Sequence, residues 1–411
     1  MTRAALQLYS STAPSEVRIF KTGSFNKVFF IQFGTIAVVA RVPFDVPAAR
    51  DPIRLGSQIA TLDFLRIHKP TVPIPRVLAA APDNQNLSRA PFIISEFCRG
   101  TPLTIQEWYD DMSNASRDRA IDLLADAWVK ITAPVSLNTI GSIVQNASNL
   151  PHGMRPSRDD AQSSGFRVIP MIPQFPDEWT GVLDPSTERH SGPRSIAEHW
   201  SPLLEAQRHQ IGVTFAGKDP SFVVWDDRVT KHTLEKLWQC FQAMQELTCI
   251  AASLDPLART PAMALMHSDY SCWKNILFSA DRRSIEGIVD WDDAVVLPRD
   301  LTAIYPDEMT DQAGEWRSDP PDVFSIPPGT LYEDEGSWET AIQETQQRRT
   351  FREAVGRRDP QLEALYTDRR AKLRRRVHYL VRYGWYTWLS NDHWVLSEGL
   401  EEARTLARGR K

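Results

Sequence analysis

The stretch from Leu265 to Pro298, LMHSDYSCWKNILFSADRRSIEGIVDWDDAVVLP, constrains the fold more than any other part of this sequence. Two short apolar runs, Ile276–Phe278 and Ile285–Val289, are separated by a turn at Asp281-Arg282. Short runs rich in β-branched and aromatic residues, bounded by turn residues, are typical of paired strands. The spacing therefore predicts a β-hairpin that is preceded by a polar loop.

Three polar residues meet at one end of this predicted hairpin. Asn275 precedes the first strand, Asp290 ends the second, and Asp269 lies in the loop that leads into them. Hard cations such as Mg²⁺ prefer oxygen ligands, and they commonly keep only one or two carboxylates while phosphate oxygens complete the shell. Phosphoryl transfer needs such an arrangement and a group that orients the attacking hydroxyl. These residue types in this order therefore indicate phosphoryl-transfer chemistry.

The amino-terminal part is predicted to be rich in strands. Three runs between Glu16 and Phe44, EVRIFK, VFFIQF and IAVVARVPF, are separated by turn-like residues and predict a strand meander. From Arg54 to Arg66 the apolar residues follow helical spacing, which predicts one helix that stops before Pro70. The segments TVPIPRVLAA and PFIISEF then resume extended structure. Residues 1–100 are therefore expected to form a small β-rich lobe with one helix.

After Gly100 helical periodicity dominates, and residues 101–411 are expected to form a large, mainly helical lobe that contains the hairpin region 265–298. The helical patterns cover Asp118–Ile131, Thr233–Leu254 and most of Gln361–Arg408. Between about 145 and 217 the chain lacks sustained periodicity, which predicts an insertion with short elements of its own. The run RRAKLRRR at 369–376 is interpreted as a solvated helix face. The predicted class is an α+β, two-lobed fold.

Composition excludes several classes of protein. Forty-seven Lys and Arg against 52 Asp and Glu give a net charge of -5, which argues against nucleic acid or an anionic membrane as the default partner. The four cysteines show no metal-ligand or disulfide spacing. The amino terminus lacks the apolar core of a signal peptide, and no stretch reaches the roughly 18 to 20 apolar residues of a membrane span. We expect a cytoplasmic protein, and the sequence does not predict its oligomeric state.

At this point the chain resembles the aminoglycoside phosphotransferase and choline-kinase-like enzymes, in particular their fungal-type branch. The resemblance rests on HSD with the downstream Asn275, on IVDWDDA, and on five amino-terminal segments: GSFNKVFFI, VVARVPF, SQIATLDFL, VPIPRVLA and FIISEFCRGTPL. Together these cover most of the first 105 residues and about 35 residues around the hairpin. The resemblance implies a bilobal protein-kinase-like fold and a kinase that uses ATP and Mg²⁺.

The resemblance also implies roles for individual residues. Asp269 would be the catalytic base or hydroxyl-orienting carboxylate, and His267 would brace the catalytic loop. Asn275 and Asp290 would hold Mg²⁺, with Asp292 as an auxiliary carboxylate. The residues expected to bind the nucleotide are Gly23, Ser24 and Asn26 over the phosphates, Arg41 as the strand cation, Gln58 on the helix, and Glu96, Phe97 and Cys98 along the adenine.

Three departures from the family pattern leave an alternative open. Asn275 follows Asp269 by six residues, one more than is usual, Arg41 stands for the commoner Lys, and Gln58 stands for the Glu that normally pairs with it. An active small-molecule kinase is expected, and the alternative is a catalytically idle kinase-like protein that binds a nucleotide or other ligand. A protein kinase is disfavoured because no H-R-D-L or A-P-E string occurs.

The acceptor is expected to be a small molecule, but the sequence does not identify it. Acidic residues would favour a cationic, amine-bearing acceptor, and three clusters could supply them: Asp226-Asp227, Asp307-Glu308 and the residues from Glu333 to Glu335. Acidic surface loops are the commoner explanation of such clusters.

Overall fold

The computed structural model describes residues 14–45, 52–83, 86, 89–145, 165–172, 191–225, 231–254, 262–311, 320–325 and 335–409. Its amino-terminal lobe is a five-stranded antiparallel sheet in the order β1-β2-β3-β5-β4. The strands are β1 (Glu16–Thr22), β2 (Asn26–Phe33), β3 (Ile36–Pro43), β4 (Val77–Ala81) and β5 (Phe92–Glu96), and one helix, α1 (Pro52–His68), lies between β3 and β4. The predicted strand meander and helix are confirmed.

Alternation along the central strands explains how the sheet positions functional groups. On β3, Val38 and Ala40 are fully buried in an apolar cluster with Ile31 and Ile94. Because side chains alternate along a strand, Arg41, which follows Ala40, points to the opposite face of the sheet. Its register partner on β2 is Val28. The sheet therefore buries one face and presents the Arg41 side chain from the other.

The carboxyl-terminal lobe is mainly helical, as predicted. It contains α2 (Asn114–Thr132), α3 (Ile196–Thr214), α4 (Leu234–Ser253), α5 (Glu335–Arg358), α6 (Pro360–Thr367), α7 (Arg369–Tyr383), α8 (Trp385–Ser390) and α9 (Gly399–Arg408). Large apolar side chains from these helices share one core, for example Trp128, Met244 and Trp388. Burial of this area is the main source of stability for the lobe. The α+β, bilobal prediction is confirmed, and the boundary near residue 100 stays a prediction.

Short strands connect the helices. They are β6 (Pro134–Val135), β7 (Ser142–Gln145), β8 (Phe166–Ile169), β9 (Val223–Trp225), β10 (Lys231–Thr233), β11 (Met263–Met266), β12 (Ile276–Phe278), β13 (Ile285–Ile288) and β14 (Val295–Pro298). Strands β12 and β13 pair antiparallel, with Ile276 opposite Ile288, so the predicted hairpin is confirmed. Strands β11 and β14 flank this hairpin in the sequence and pair with each other, with Met266 opposite Val295.

The predicted insertion at about 145–217, expected to carry short elements of its own, also contains a long helix. Within 145–217 the structure places the 19-residue helix α3, whose Trp200 and Leu203 are buried in the main core. The rest of the insertion lies largely outside the described residues. Helix α5 had no sequence signal because many of its buried positions are polar, among them Glu344, Gln347 and Arg348. Polar burial of this kind hides helical amphipathicity from a hydrophobic pattern.

The structure contradicts the interpretation of RRAKLRRR as a solvated face. Arg374, Arg375 and Arg376 are 1%, 3% and 6% exposed. Arg374 Nε donates to Asp300 Oδ2 at 2.5 Å, and Asp300 is itself fully buried. Arg375 Nη1 donates to the carbonyl oxygens of Asp300 and Leu365 at 3.1 and 2.8 Å. Arg374 and Arg375 therefore form an internal cross-link between α7 and the segment after the hairpin, while Arg369 at the start of the run is exposed.

We expect Arg374→Leu to destabilise the protein by about 3–5 kcal/mol, because it leaves the Asp300 carboxylate buried without its cation. The matched control is Arg369→Leu on the same helix, which removes an exposed pair with Glu402 and should cost no more than about 1 kcal/mol. Urea unfolding of both variants measures the difference. Equal losses of unfolding free energy would contradict the assignment of the buried pair.

Two buried imidazoles lie between α3 and α7. The rings of His199 and His378 are 5.7 Å apart, and Trp200 Nε1 donates to His378 Nδ1 at 3.1 Å. Burial, with a smaller effect of the Arg382 charge, lowers the pKa of His199 to about 4. Burial followed by the charge of His199 places the pKa of His378 well below its ordinary value. Both rings are therefore neutral in the folded protein near pH 7.

Acid should destabilise the fold through these rings. The folded pKa of His199 lies below the unfolded value of about 6.5, so its contribution is present above pH 6.5 and is lost as pH falls toward 4. The loss for His199 alone should be about 3 kcal/mol over that interval. Denaturant unfolding at several pH values measures it, and His199→Phe should flatten the profile. The control is His393→Phe, at a side chain that is 79% exposed; a profile unchanged by His199→Phe would refute the explanation.

In the described part of the chain, no helix is long and apolar enough to cross a membrane.

Candidate active site

Asp290 directly follows the residue whose backbone pairs with Asn275 at the end of the hairpin. Beyond the last strand pair, Val289 N donates to the carbonyl oxygen of Asn275 at 2.9 Å. Asp290 follows directly and has φ +65°, in the left-handed region that few residues other than glycine adopt. Backbone of this kind occurs at functional sites, where the surrounding structure holds it in place. Here it turns the chain sharply after β13.

A tight turn accommodates the extra residue between Asp269 and Asn275. The backbone amides of Asn275 and Ile276 both donate to the carbonyl oxygen of Ser271, at 3.0 and 3.1 Å. Asn275 Nδ2 then donates to Asp269 Oδ2 at 2.8 Å and to the Asp269 carbonyl oxygen at 2.9 Å. The longer loop thus keeps the amide and the carboxylate together, although their spacing departs from the family pattern.

His267 links the loop that carries Asp269 to the residue that follows β13. Its Nε2 lies 2.9 Å from the carbonyl oxygen of Val289, and its Nδ1 accepts the backbone N–H of Asp269 at 3.2 Å. A carbonyl can only accept, so Nε2 carries the proton of a neutral ring. Burial lowers the pKa of His267, in agreement with this neutral form. These two contacts of His267 hold the backbone of Asp269 close to that of Val289.

Arg41 joins the two lobes. Its Nη1 donates to Asp292 Oδ1 at 2.7 Å, its Nη2 contacts Asp292 Oδ2, and Nη2 lies 2.9 Å from Asp290 Oδ1. With its amide oxygen toward the guanidinium, Asn26 accepts from Arg41 Nε at 3.0 Å. Burial opposes the charge on Arg41, but the two carboxylates outweigh this effect and raise its pKa. Burial also raises the pKa of Asp292, against the effect of Arg41.

Gln58 occupies the helix position expected from the sequence, but Arg54 makes the charged contact. Gln58 is 5% exposed and lines a small pocket with Asn26, Arg54 and Asp292. One turn earlier on α1, Arg54 Nη1 lies 3.6 Å from Asp293 Oδ1. The sequence motifs did not mark Arg54 or Asp293 as site residues. The sequence does carry a signal for this pair, because the helix has an arginine one turn before the position where an acidic residue is usual, and IVDWDDA has a third aspartate that can pair with it.

The turn between β1 and β2 carries the three residues expected over the phosphates. Gly23 N donates to the carbonyl oxygen of Asn26 at 2.9 Å, which closes the turn around Ser24. Asn26 begins β2 and touches Arg41. The structure therefore brings Asn26 to the acidic site and places Gly23 and Ser24 at the tip beside it.

The segment expected to run along the adenine connects the lobes. Glu96 ends β5, and its side chain pairs with Arg76 at 2.9 Å. Phe97 N donates to the carbonyl oxygen of Ala37 at 3.2 Å. Cys98 packs on the catalytic hairpin, because a Cβ atom built on Gly287 would lie 2.7 Å from its Sγ. The connecting segment thus contacts both the sheet and the hairpin.

Lys274, which the motifs did not mark as a site residue, lies beside Asp269, and its ammonium group also contacts Asp307. Lys274 Nζ is 3.3 Å from Asp269 Oδ1 and 3.5 Å from Asp307 Oδ2. Glu308, in contrast, is fully buried, and its Oε2 accepts the backbone N–H of Cys272 at 3.2 Å. Burial raises the pKa of Glu308 to about 7. Of the acidic pair 307–308, only Asp307 is therefore partly exposed near the loop that carries Asp269.

The donor set fits a magnesium ion that is also held by phosphate. The hydrogen bonds of Asn275 Nδ2 leave its Oδ1 for a cation, and Asp290 adds a carboxylate that is 45% exposed. Among the residues that the structure describes, no three His, Cys, Asp or Glu side chains could hold a metal by themselves. A phosphate-bridged Mg²⁺ does not need such a cage, because one or two carboxylates suffice.

A family model agrees with this architecture. The model described as "Phosphotransferase enzyme family" matches residues 16–300, which include both the sheet and the hairpin. The match covers well over half of the 411 residues. The chain therefore belongs to the phosphotransferase enzyme family, and the family resemblance read from the motifs is confirmed.

Curated fungal proteins are similar over parts of the chain. "Altered inheritance of mitochondria protein 9, mitochondrial" from Candida dubliniensis is 27% identical over 45% of this chain and 31% of its own length. A "Subtelomeric hrmA-associated cluster protein" from Aspergillus fumigatus is 27% identical over 69% of this chain and 58% of its own length. The chain thus spans about a third of the first relative and little more than half of the second.

Solved aminoglycoside phosphotransferases are similar at lower identity. The apo form of a thermostable mutant of APH(4)-Ia is 16% identical, with a TM-score of 0.45 over 100% of this chain and 99% of that one. The GDP and kanamycin complex of APH(2")-IIia is 14% identical, with a TM-score of 0.46 over the same shares. The roles of individual residues here therefore rest on the geometry of this chain.

We expect Gly287→Ala to destabilise the protein by about 1–3 kcal/mol, because the added methyl group would overlap Cys98 Sγ. The double variant with Cys98→Ala should recover part of this loss, since the nearest remaining atom of that side chain is Cβ at 3.3 Å. A double-mutant cycle of unfolding free energies measures the coupling, expected to exceed about 0.5 kcal/mol. Additive effects would mean that the connecting segment does not pack on the hairpin.

Proposed function

We propose that this protein is an ATP- and Mg²⁺-dependent phosphotransferase that transfers the γ-phosphate of ATP to a hydroxyl group of a small molecule. The observation that supports this most strongly is the convergence of Asp269, Asn275 and Asp290 at the open end of one short hairpin. Membership of the phosphotransferase enzyme family supports the same class of reaction. The idle binding protein remains the second candidate, because Gln58 takes the place of an acidic partner.

Asp269 is proposed to orient the acceptor hydroxyl and to take its proton. Its side chain is 48% exposed, so a small molecule can reach it. His267 holds the backbone of Asp269, and Asn275 fixes one carboxylate oxygen. A held carboxylate lowers the entropic cost of bringing the hydroxyl into line with the phosphorus atom.

Asn275 and Asp290 are proposed to hold Mg²⁺, with Asp292 as an auxiliary carboxylate. When bound, the ion would neutralise phosphate charge as the transfer proceeds. Arg41 already touches both aspartates, so it would share them with the cation and offer its remaining donor capacity to phosphate oxygens. In this arrangement Asp290 and Asp292 hold Arg41 in position, so that it could bind phosphate without a glutamate on the helix.

The remaining nucleotide contacts are proposed along the inner face of the sheet. The turn Gly23–Asn26, with Ser24 at its tip, would cover the phosphates through backbone N–H groups. The backbone of Glu96, Phe97 and Cys98 would contact the adenine. Gln58 would support Arg54 and Asn26 in the pocket behind the turn.

Amine-bearing acceptors are the first class to test. Asp307 supports this choice because its partly exposed carboxylate contacts Lys274, whose ammonium group also contacts Asp269. Glu308 is buried and cannot serve as a surface ligand, while Asp226-Asp227 and residues 333–334 lie outside the described residues. A cytoplasmic location is likewise proposed; fractionation against a mitochondrial marker tests it, since one fungal relative is named mitochondrial.

Asp269→Ala should abolish phosphoryl transfer while nucleotide affinity changes little, because this carboxylate acts on the acceptor. Purified protein is incubated with ATP, Mg²⁺ and a metabolite extract, and mass spectrometry detects products heavier by one phosphate. The control is Asp281→Ala, an exposed aspartate in the hairpin turn.

Retained turnover in Asp269→Ala would reject its role. Tight binding of MgATP in calorimetry, without any product from the wild type, would favour the idle binding protein.

A further inference from the structure

The extra residue of the catalytic loop has a specific structural result. The turn around Ser271 ends with Lys274 immediately before Asn275, and its ammonium group lies 3.3 Å from Asp269 Oδ1. Asn275 binds the other oxygen, Oδ2, at 2.8 Å. Consecutive residues therefore hold the two oxygens of the carboxylate proposed to orient the acceptor.

Lys274 is placed for a ligand as well as for a structural pair. Its side chain is 54% exposed, and its partners Asp269 and Asp307 are 48% and 28% exposed. Exposed pairs of this kind contribute only about 0–1 kcal/mol to stability.

We propose that Lys274 is a further catalytic residue that binds the transferring phosphoryl group. This inference rests on the proposed function. In the transfer, the acceptor oxygen bonds to the γ-phosphorus, the bond from that phosphorus to the bridging oxygen of ADP breaks, and the hydroxyl proton passes to Asp269. A cation one hydrogen bond from Asp269 Oδ1 lies next to the attacking oxygen, where negative charge must be stabilised.

Asp307 holds the ammonium group from the opposite side. With one carboxylate at 3.3 Å and the other at 3.5 Å, Lys274 Nζ can exchange one of these contacts for a phosphoryl oxygen without losing the other. The same geometry distinguishes two explanations. If Lys274 serves only to hold Asp307, removal of the Asp307 charge should have the same effect as removal of Lys274.

The test uses MgADP with aluminium fluoride, a planar mimic of the transferring phosphoryl group, in calorimetric titrations of the full chain. Lys274→Met should weaken binding of MgADP–aluminium fluoride by about tenfold or more and leave the affinity for MgADP within about twofold, since ADP lacks that group. Lys274→Arg should retain most of the affinity, and Asp307→Asn should lose less than Lys274→Met.

The matched control is Lys236→Met on α4, which makes the same change at a partly exposed ion pair with Asp392. Thermal unfolding checks that every variant is folded. If Lys274→Met binds MgADP–aluminium fluoride as tightly as the wild type, or if Asp307→Asn loses as much affinity as Lys274→Met, the inference about Lys274 is overturned. The proposed function is not affected by either result. Wild-type protein that does not bind MgADP, or gains no affinity from aluminium fluoride, overturns the proposed function and the inference with it.

Discussion

The geometry of the site depends on the backbone of Val289. Its N–H donates to the carbonyl oxygen of Asn275, and its carbonyl oxygen accepts from the imidazole of His267. One residue just after a short strand thus fixes both ends of the loop from His267 to Asn275. Val289 is partly buried, and movement of the loop away from it would break both hydrogen bonds. These two hydrogen bonds therefore fix the positions of Asp269 and Asp290.

The charged residues around these hydrogen bonds come from both lobes. Arg41 and Arg54 come from the sheet and its helix, and both face aspartates of IVDWDDA in the other lobe. In the arrangement implied by the family resemblance, the strand cation pairs with an acid on the same lobe. Here the acids lie on the far side, and the neutral Gln58 fills the vacated position. The relative placement of the lobes is therefore coupled to the same aspartates that are proposed to meet the cation.

Much of the architecture could be predicted because strand alternation and helical spacing are local. The meander, the helix after it, the hairpin and the convergence of Asn275 with Asp290 all follow from such patterns. Helix α5 and the buried arginines could not be predicted, because pairing over long sequence distances decides whether a charged side chain is buried. The contacts of Lys274 and Arg54 were not predicted for a related reason, because their partners are distant in the sequence or are selected by the folded loop. The roles of the individual site residues remain predictions.

The buried contact between Arg374 and Asp300 has a consequence for where this enzyme fold ends. The family match stops at residue 300, at a carboxylate that is fully buried and whose cation lies in α7, more than seventy residues later. A fragment cut at that boundary would keep every proposed catalytic residue but would carry an uncompensated charge in its interior. The segment that the family model matches is thus shorter than the segment that compensates this buried charge, and α7 is part of the scaffold of the carboxyl-terminal lobe.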